Sequence, residues 1–353
     1  MPLRTAFCAM CLVVAGALAA GGCVPGRTHR TVTFAVIGNA LLADSVRDDR
    51  PADAALDATA LARLRRTVDE INGSKIEFTV VLGNLLARGE PRSLDAARAA
   101  LGELKKPYFV VLGPEGLDAA AATAVEGATA ESGDAPASAA SLGTSLLTWI
   151  FRDHGFNGPL PYWVAERDGG LVLIGLYTSS QGSARSGHLD AAQLAWLDRT
   201  LARYRDKAAV ILSYHALVSL HPLDTGAPWQ DRLVDNRAEA MEILGRHENV
   251  TAVISASHRF AAGKVVGRTV HFSVPGLSTW PLAYDVVSVR PNRIERQYIP
   301  VGTREESVKA FDRLAGDATV RALFGRSERD EDHIIQTFGG NKSAEWNLSA
   351  LRP

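Results

Sequence analysis

The sequence predicts an α/β fold in which two sheets pack together with helices outside. Three observations predict it. Short apolar runs alternate with stretches of helical periodicity from Val32 to Ser255, the pattern of strand–helix–strand units. Residues 269–274, 283–290 and 294–299 then read as strands with no helix between them, which points to antiparallel pairing. Finally, three strands end on glycine, at Gly38-Asn39, Gly83-Asn84 and Gly113-Pro114, and two later ones end at Tyr214-His215 and Ser257-His258. Buried strands whose C-terminal tips carry polar residues form the usual active-site rim of an α/β protein.

In chain order, the strand at 32–38 leads to a helix over about 57–71, with Leu61, Leu64, Val68 and Ile71 at helical spacing and Asn72-Gly73 as its stop. The strand at 78–82 precedes a helix from about Leu94 to Lys105, with Ser93 as a candidate N-cap. After the strand at 108–112, residues 118–145 are rich in Ala, Gly, Ser and Thr and read as a low-complexity insertion, a mobile surface loop with some helix. The strand at 171–176 leads to a helix with Asp190 as N-cap, Gln193 completing a capping box, and Leu189 and Leu194 as a staple. A strand over 209–213, a helix over about 237–247 and a strand over 251–255 follow. Residues 301–353 form a C-terminal extension that turns helical and charged over 303–335.

At 353 residues, 46% hydrophobic and 22% charged, the chain suits one large domain or two modest ones. A net charge of -1 carries no basic footprint for nucleic acid. The three cysteines, Cys8, Cys11 and Cys23, lie within the first 23 residues, so the body has neither a disulfide nor a thiolate metal site.

The order and spacing of the strand ends resemble the calcineurin-like metallophosphoesterase family over about residues 32–300. Gly83-Asn84-Leu-Leu-Ala-Arg88-Gly89 keeps the glycine frame of that family's second motif, and Gly187 to Leu197 looks like the segment before its fourth. The resemblance implies a four-layer αββα sandwich, two mixed sheets flanked by helices. It also implies a site. The first-motif Asp falls on Asn39 and its His on Leu41, and the bridging Asp falls on Asn84. The third-motif Asn and His fall on Pro114 and Glu115. The fourth-motif His is kept as His215, and of the last motif's two histidines the first is kept as His258 and the second becomes Phe260.

Two divalent ions need anionic ligands and a bridging carboxylate. The amides of Asn39 and Asn84 carry no charge, and Leu41, Pro114 and Phe260 ligate nothing. His215 and His258, with Asn84 as a weak third, fall short of the three firm ligands of catalytic zinc. Asp44 and Glu115 are candidate replacements, although caps and turns explain both. His215 and His258 have a plainer reading as buried, hydrogen-bonded imidazoles. His154, His188 and His221 read as loop residues. The expectation is a catalytically inactive binding or scaffolding module without a cofactor. Its cleft would be lined by Asn39, Asn84, Glu115, His215, His258 and Arg259. The alternative is a phosphoesterase with one divalent metal (Mn, Fe or Zn) at His215 and His258.

The N-terminus is a targeting segment: Arg4, an apolar run from Phe7 to Ala20, then small residues up to Cys23. Ala20-Gly21-Gly22-Cys23 resembles a bacterial lipobox, which implies a signal peptide over 1–22, acylation of Cys23 and a tether over 23–31. Two other readings stand beside it: cleavage after Ala17-Leu18-Ala19, leaving a free thiol, and an uncleaved anchor. Acylation would place the protein on a membrane of the cell envelope, periplasm-facing, with an envelope protein or small ligand as partner. Val24, in place of the Asp associated with inner-membrane retention, leans toward the outer membrane.

Overall fold

The computed structural model describes residues 28–42, 59–87, 91–114, 139–179, 186–227, 229–324, 328–339 and 343–350. The N-terminal segment with Cys23, Asp44, Arg88-Gly89, Glu115 and most of the insertion lie outside the described residues. The chain runs through β1 (Val32–Gly38), α1 (Ala60–Asn72), β2 (Phe78–Gly83), α2 (Pro91–Gly102), β3 (Tyr108–Leu112) and α3 (Ala139–Ile150). It continues through β4 (Trp163–Arg167), β5 (Leu171–Gly175), α4 (Ala191–Arg203), β6 (Ala208–Ser213), α5 (Arg237–Arg246) and β7 (Val250–Ser255). Then come β8 (Ala262–Val266), β9 (Thr269–Ser273), β10 (Ala283–Arg290) and β11 (Arg293–Pro300), and finally α6 (Arg304–Gly316), α7 (Ala318–Phe324), α8 (Glu328–Gly339) and β12 (Ser343–Asn347).

Two mixed six-stranded sheets result, ordered β12-β11-β10-β1-β2-β3 and β4-β5-β6-β7-β9-β8. The strands β1, β2, β3, β5, β6 and β7 are buried on both faces because both faces are covered. In β5, Leu171 and Leu173 join the core shared with the first sheet, while Val172 and Ile174 pack with Leu194, Leu197 and Leu201 of α4. β6 splits likewise, Val210 and Leu212 to one side, Ala209 and Ile211 to the other. That is the period-two alternation of a pleated strand between two layers.

Several sequence expectations are corrected. β9 pairs parallel with β7 and so belongs to the second sheet, while β10 and β11 extend the first; the strand run is one crossover between sheets rather than one antiparallel unit. α2 starts at Pro91, so Ser93 lies in its first turn and is no N-cap. Asp190 does cap α4, accepting from the Gln193 amide at 2.7 Å, but the Gln193 side chain bonds both backbone groups of Tyr177 instead of closing a capping box. Strands β4, β8 and β12 are added. The last lies in the extension, which is therefore not purely helical. Its Trp346 stacks on Phe272 of β9 at 5.4 Å, so the extension helps to join the sheets.

The extension is also pinned at its start. Thr303 and Glu306 form a reciprocal capping box on α6. The Glu306 carboxylate also accepts from buried Arg63 of α1 at 3.1 Å and from Arg66 at 2.6 Å.

Candidate functional site

The C-terminal tips of the parallel strands of both sheets meet at one end, and the glycines there make room for the meeting. A side chain at Gly38 would put a Cβ 2.6 Å from the Pro275 carbonyl oxygen, and one at Gly83 would strike the Tyr214 ring at the same distance. The backbone is unusual around them. Asn39 (φ 45), Leu41 (φ 49) and Arg259 (φ 62) are all left-handed, as is Gly83 (φ 99). Such conformations cost of order 1–3 kcal/mol each for residues other than glycine and cluster at functional sites.

Four sequence-predicted residues, Asn39, Asn84, His215 and His258, come together here, and each is only 1–2% exposed. Arg259 follows at the same tip, half-buried. Each of the four is bonded inside the protein. Asn39 Nδ2 donates to the Ala256 carbonyl at 2.8 Å, tying the first sheet to the second. Asn84, in the place the resemblance gives to the bridging carboxylate, meets the Tyr214 hydroxyl at 2.9 Å. The Tyr214 ring lies edge-on to His215, whose Nδ1 is 2.9 Å from the Thr178 hydroxyl. Gly187 is required at this point, since a Cβ there would fall 2.6 Å from the imidazole.

His258 has a partner that sequence reasoning missed. Its Nε2 lies 2.9 Å from Asp224 Oδ1 and 3.0 Å from Oδ2, and both side chains are wholly buried. Asp224 closes a 3₁₀ turn (Pro222–Thr225) capped by His221, and its Oδ2 also accepts the amides of Leu220 and His221. Burial alone would raise the Asp224 carboxyl, but the hydrogen bond from His258 and the backbone amides outweigh it and hold the group below the usual carboxylate range. Burial pushes the His258 imidazole down against the pull of that carboxylate. The pair is therefore a carboxylate accepting from a neutral imidazole. Arg232 completes the support, donating to the carbonyls of Ser257 and His258 at 2.7 and 2.9 Å with its guanidinium over the Trp229 ring.

Two of the remaining positions are filled by buried hydrocarbon. Leu41 and Phe260 are fully buried. Phe260, standing where the resemblance places a second histidine, lies under the extension, with Phe338 of α8 edge-on to it at 5.0 Å. Trp229, Val320 and Ile334 complete that cluster. Of the other histidines, His154 stacks on Tyr108, and His188 meets Asp235 at 2.7 Å on the surface.

This donor set does not fit a dinuclear metal centre. Both tip amides are neutral, and Asp224 is engaged by an imidazole and two amides. Among the described residues no group of three or more His, Cys, Asp or Glu side chains could hold an ion. Asp224 gave no sequence signal because it reaches His258 across 34 residues of unrelated chain.

No family model matches the sequence, and no curated protein does. Solved structures do. A dimetal phosphatase from Danio rerio superposes with a TM-score of 0.55 at 14% identity, covering 77% of this chain and 97% of that one. The purple acid phosphatase PPD1 from yellow lupin (Lupinus luteus) seeds superposes with a TM-score of 0.50 at 12% identity, covering 78% and 52%. The fold is that of the calcineurin-like metallophosphoesterases. At these identities the likeness extends to the fold and no further.

Proposed function

We propose that the protein is a non-catalytic binding or scaffolding module built on the metallophosphoesterase fold and held in the bacterial cell envelope by an acylated Cys23. One observation carries the non-catalytic part: the strand tips present the neutral amides of Asn39 and Asn84, bonded to the Ala256 carbonyl and the Tyr214 hydroxyl, and so lack the negative charge that two divalent ions need. His258, with Nε2 bonded to Asp224, keeps only Nδ1 as an unpartnered ring nitrogen. The tail seated on Phe260 supports the same reading.

The test is metal analysis and activity on the purified protein after incubation with Mn, Fe or Zn. The expected result is substoichiometric metal and no turnover of a generic phosphodiester. Stoichiometric, tightly held metal with hydrolysis abolished by His215→Ala would replace this reading with a single-metal phosphoesterase. The tether is tested separately: Cys23→Ser is expected to release the protein from membranes, and retention of that variant would refute acylation as the anchor.

A further inference from the structure

Thr28, the first described residue, and a cluster of lysines lie on one edge of the molecule. Only the four residues Val24 to Arg27 separate Cys23 from Thr28, which is buried. A fully extended chain gains at most ~3.6 Å per residue, so Thr28 lies within about 18 Å of an acylated Cys23. From Thr28 the path is fixed. The His29 amide donates to the Gly169 carbonyl at 2.7 Å, and Arg30 holds Glu77 with two hydrogen bonds of 2.9 and 2.6 Å. Glu77 ends the turn that feeds β2.

β1, β2 and β3 are parallel, so their starts share this edge and their glycine-ended tips lie at the other. Two turns project here, over 73–77 and 103–107. The Asn72 side chain binds them together, donating to the Glu103 carbonyl at 2.8 Å and accepting the Lys105 amide at 2.8 Å. They carry Lys75, Lys105 and Lys106, all exposed and without an ion-pair partner among the described residues. Of the two acids on these turns, Glu77 is engaged by Arg30, which leaves Glu103 against three lysines. The segment after α3 adjoins the same end, with the His154 ring stacked on Tyr108 at the start of β3. Just before it Trp149 is 64% exposed, with the Arg152 guanidinium over its ring. An exposed tryptophan beside a guanidinium suits a lipid headgroup layer.

We propose that this edge lies on the membrane, with Lys75, Lys105 and Lys106 contacting anionic lipid headgroups and the strand tips of the remnant site turned away from the bilayer. The proposal rests on acylation of Cys23. The tether is short enough to keep the edge near the bilayer surface, where each lysine that comes within about a Debye length, ~8 Å, feels the headgroup charge.

The experiment uses the acylated full-length protein on vesicles of phosphatidylcholine alone or mixed with phosphatidylglycerol, at low salt. Lysine acetylation rates are read residue by residue by peptide mass spectrometry. On mixed vesicles Lys75, Lys105 and Lys106 are expected to react about fivefold more slowly than on neutral ones. Lys309, on the tail at the far end, should not change. Equal rates on both vesicles, with the protein sedimenting on them, overturn the proposal and leave the tether standing. Failure to sediment with either overturns the tether, and the proposal with it.

Discussion

His258 Nε2 lies 2.9 Å from the Asp224 carboxylate, and neither side chain is exposed. The pair ties the segment after β7 to the 3₁₀ turn of Pro222–Thr225. Breaking a buried pair by removing one member typically costs about 3–5 kcal/mol. Asp224→Ala and His258→Ala should each lower the urea midpoint accordingly, and the double variant should cost clearly less than the sum. The pH dependence has one sign. Both folded-state values are depressed, so the stabilisation is present above the unfolded values and is lost as pH falls through the folded ones. Additive losses would mean that the contact carries no coupling.

The tail is expected to be part of the domain. Phe338 is 3% exposed and packs on Phe260 and Trp229. Phe338→Ala should cost about 3–5 kcal/mol, the usual range for truncating a buried phenylalanine. It should also raise dye binding to the uncovered aromatic surface. A loss under about 1 kcal/mol would place the extension outside the cooperative unit.

Asp285 and Arg296 face each other across β10 and β11 with Nε and Oδ2 2.9 Å apart, both buried, yet neither of those atoms makes an aligned hydrogen bond. Burial, only partly offset by Arg296, pushes the Asp285 carboxyl up to about 7. A raised folded-state value means that the stability present at low pH is lost as pH rises from about 4 toward 7. Replacing the pair together, as Asp285→Leu with Arg296→Met, should be neutral or stabilising at pH 8, whereas Arg296→Met alone should be strongly destabilising there. Chemical denaturation at pH 5 and pH 8 distinguishes the cases.

His271 of β9 acts in the opposite sense. It is 2% exposed, neither ring nitrogen has a hydrogen-bond partner, and burial pushes it down to about 4. Protonation of the unfolded chain therefore favours unfolding as pH falls below 6.5. His271→Leu should recover about 2 kcal/mol at pH 5 relative to pH 7.5. An unchanged acid limb in thermal melts across that range would show that another group governs it.

Much of the fold was legible because it rests on local signals. The apolar runs of β1, β2, β3, β5, β6 and β7 and the Asp190 cap are properties of short segments. Some of the remnant site was legible too, since Asn39, Asn84, His215 and His258 follow strand ends and strands carry their tips to a common rim. Three edge or near-edge features were not. β4 and β8 are partly exposed with weak alternation, and β12 pairs only through β11.

By itself the sequence determined that these strand tips lack the charged ligands on which two-metal chemistry depends, because residue identity alone fixes formal charge. Only the tertiary structure decided what replaced them. Tyr214 on Asn84, Thr178 on His215, Asp224 on His258 and Phe338 on Phe260 are all contacts between distant segments. Most buried polar groups find a partner wherever the chain brings one, and no local pattern records which partner that will be.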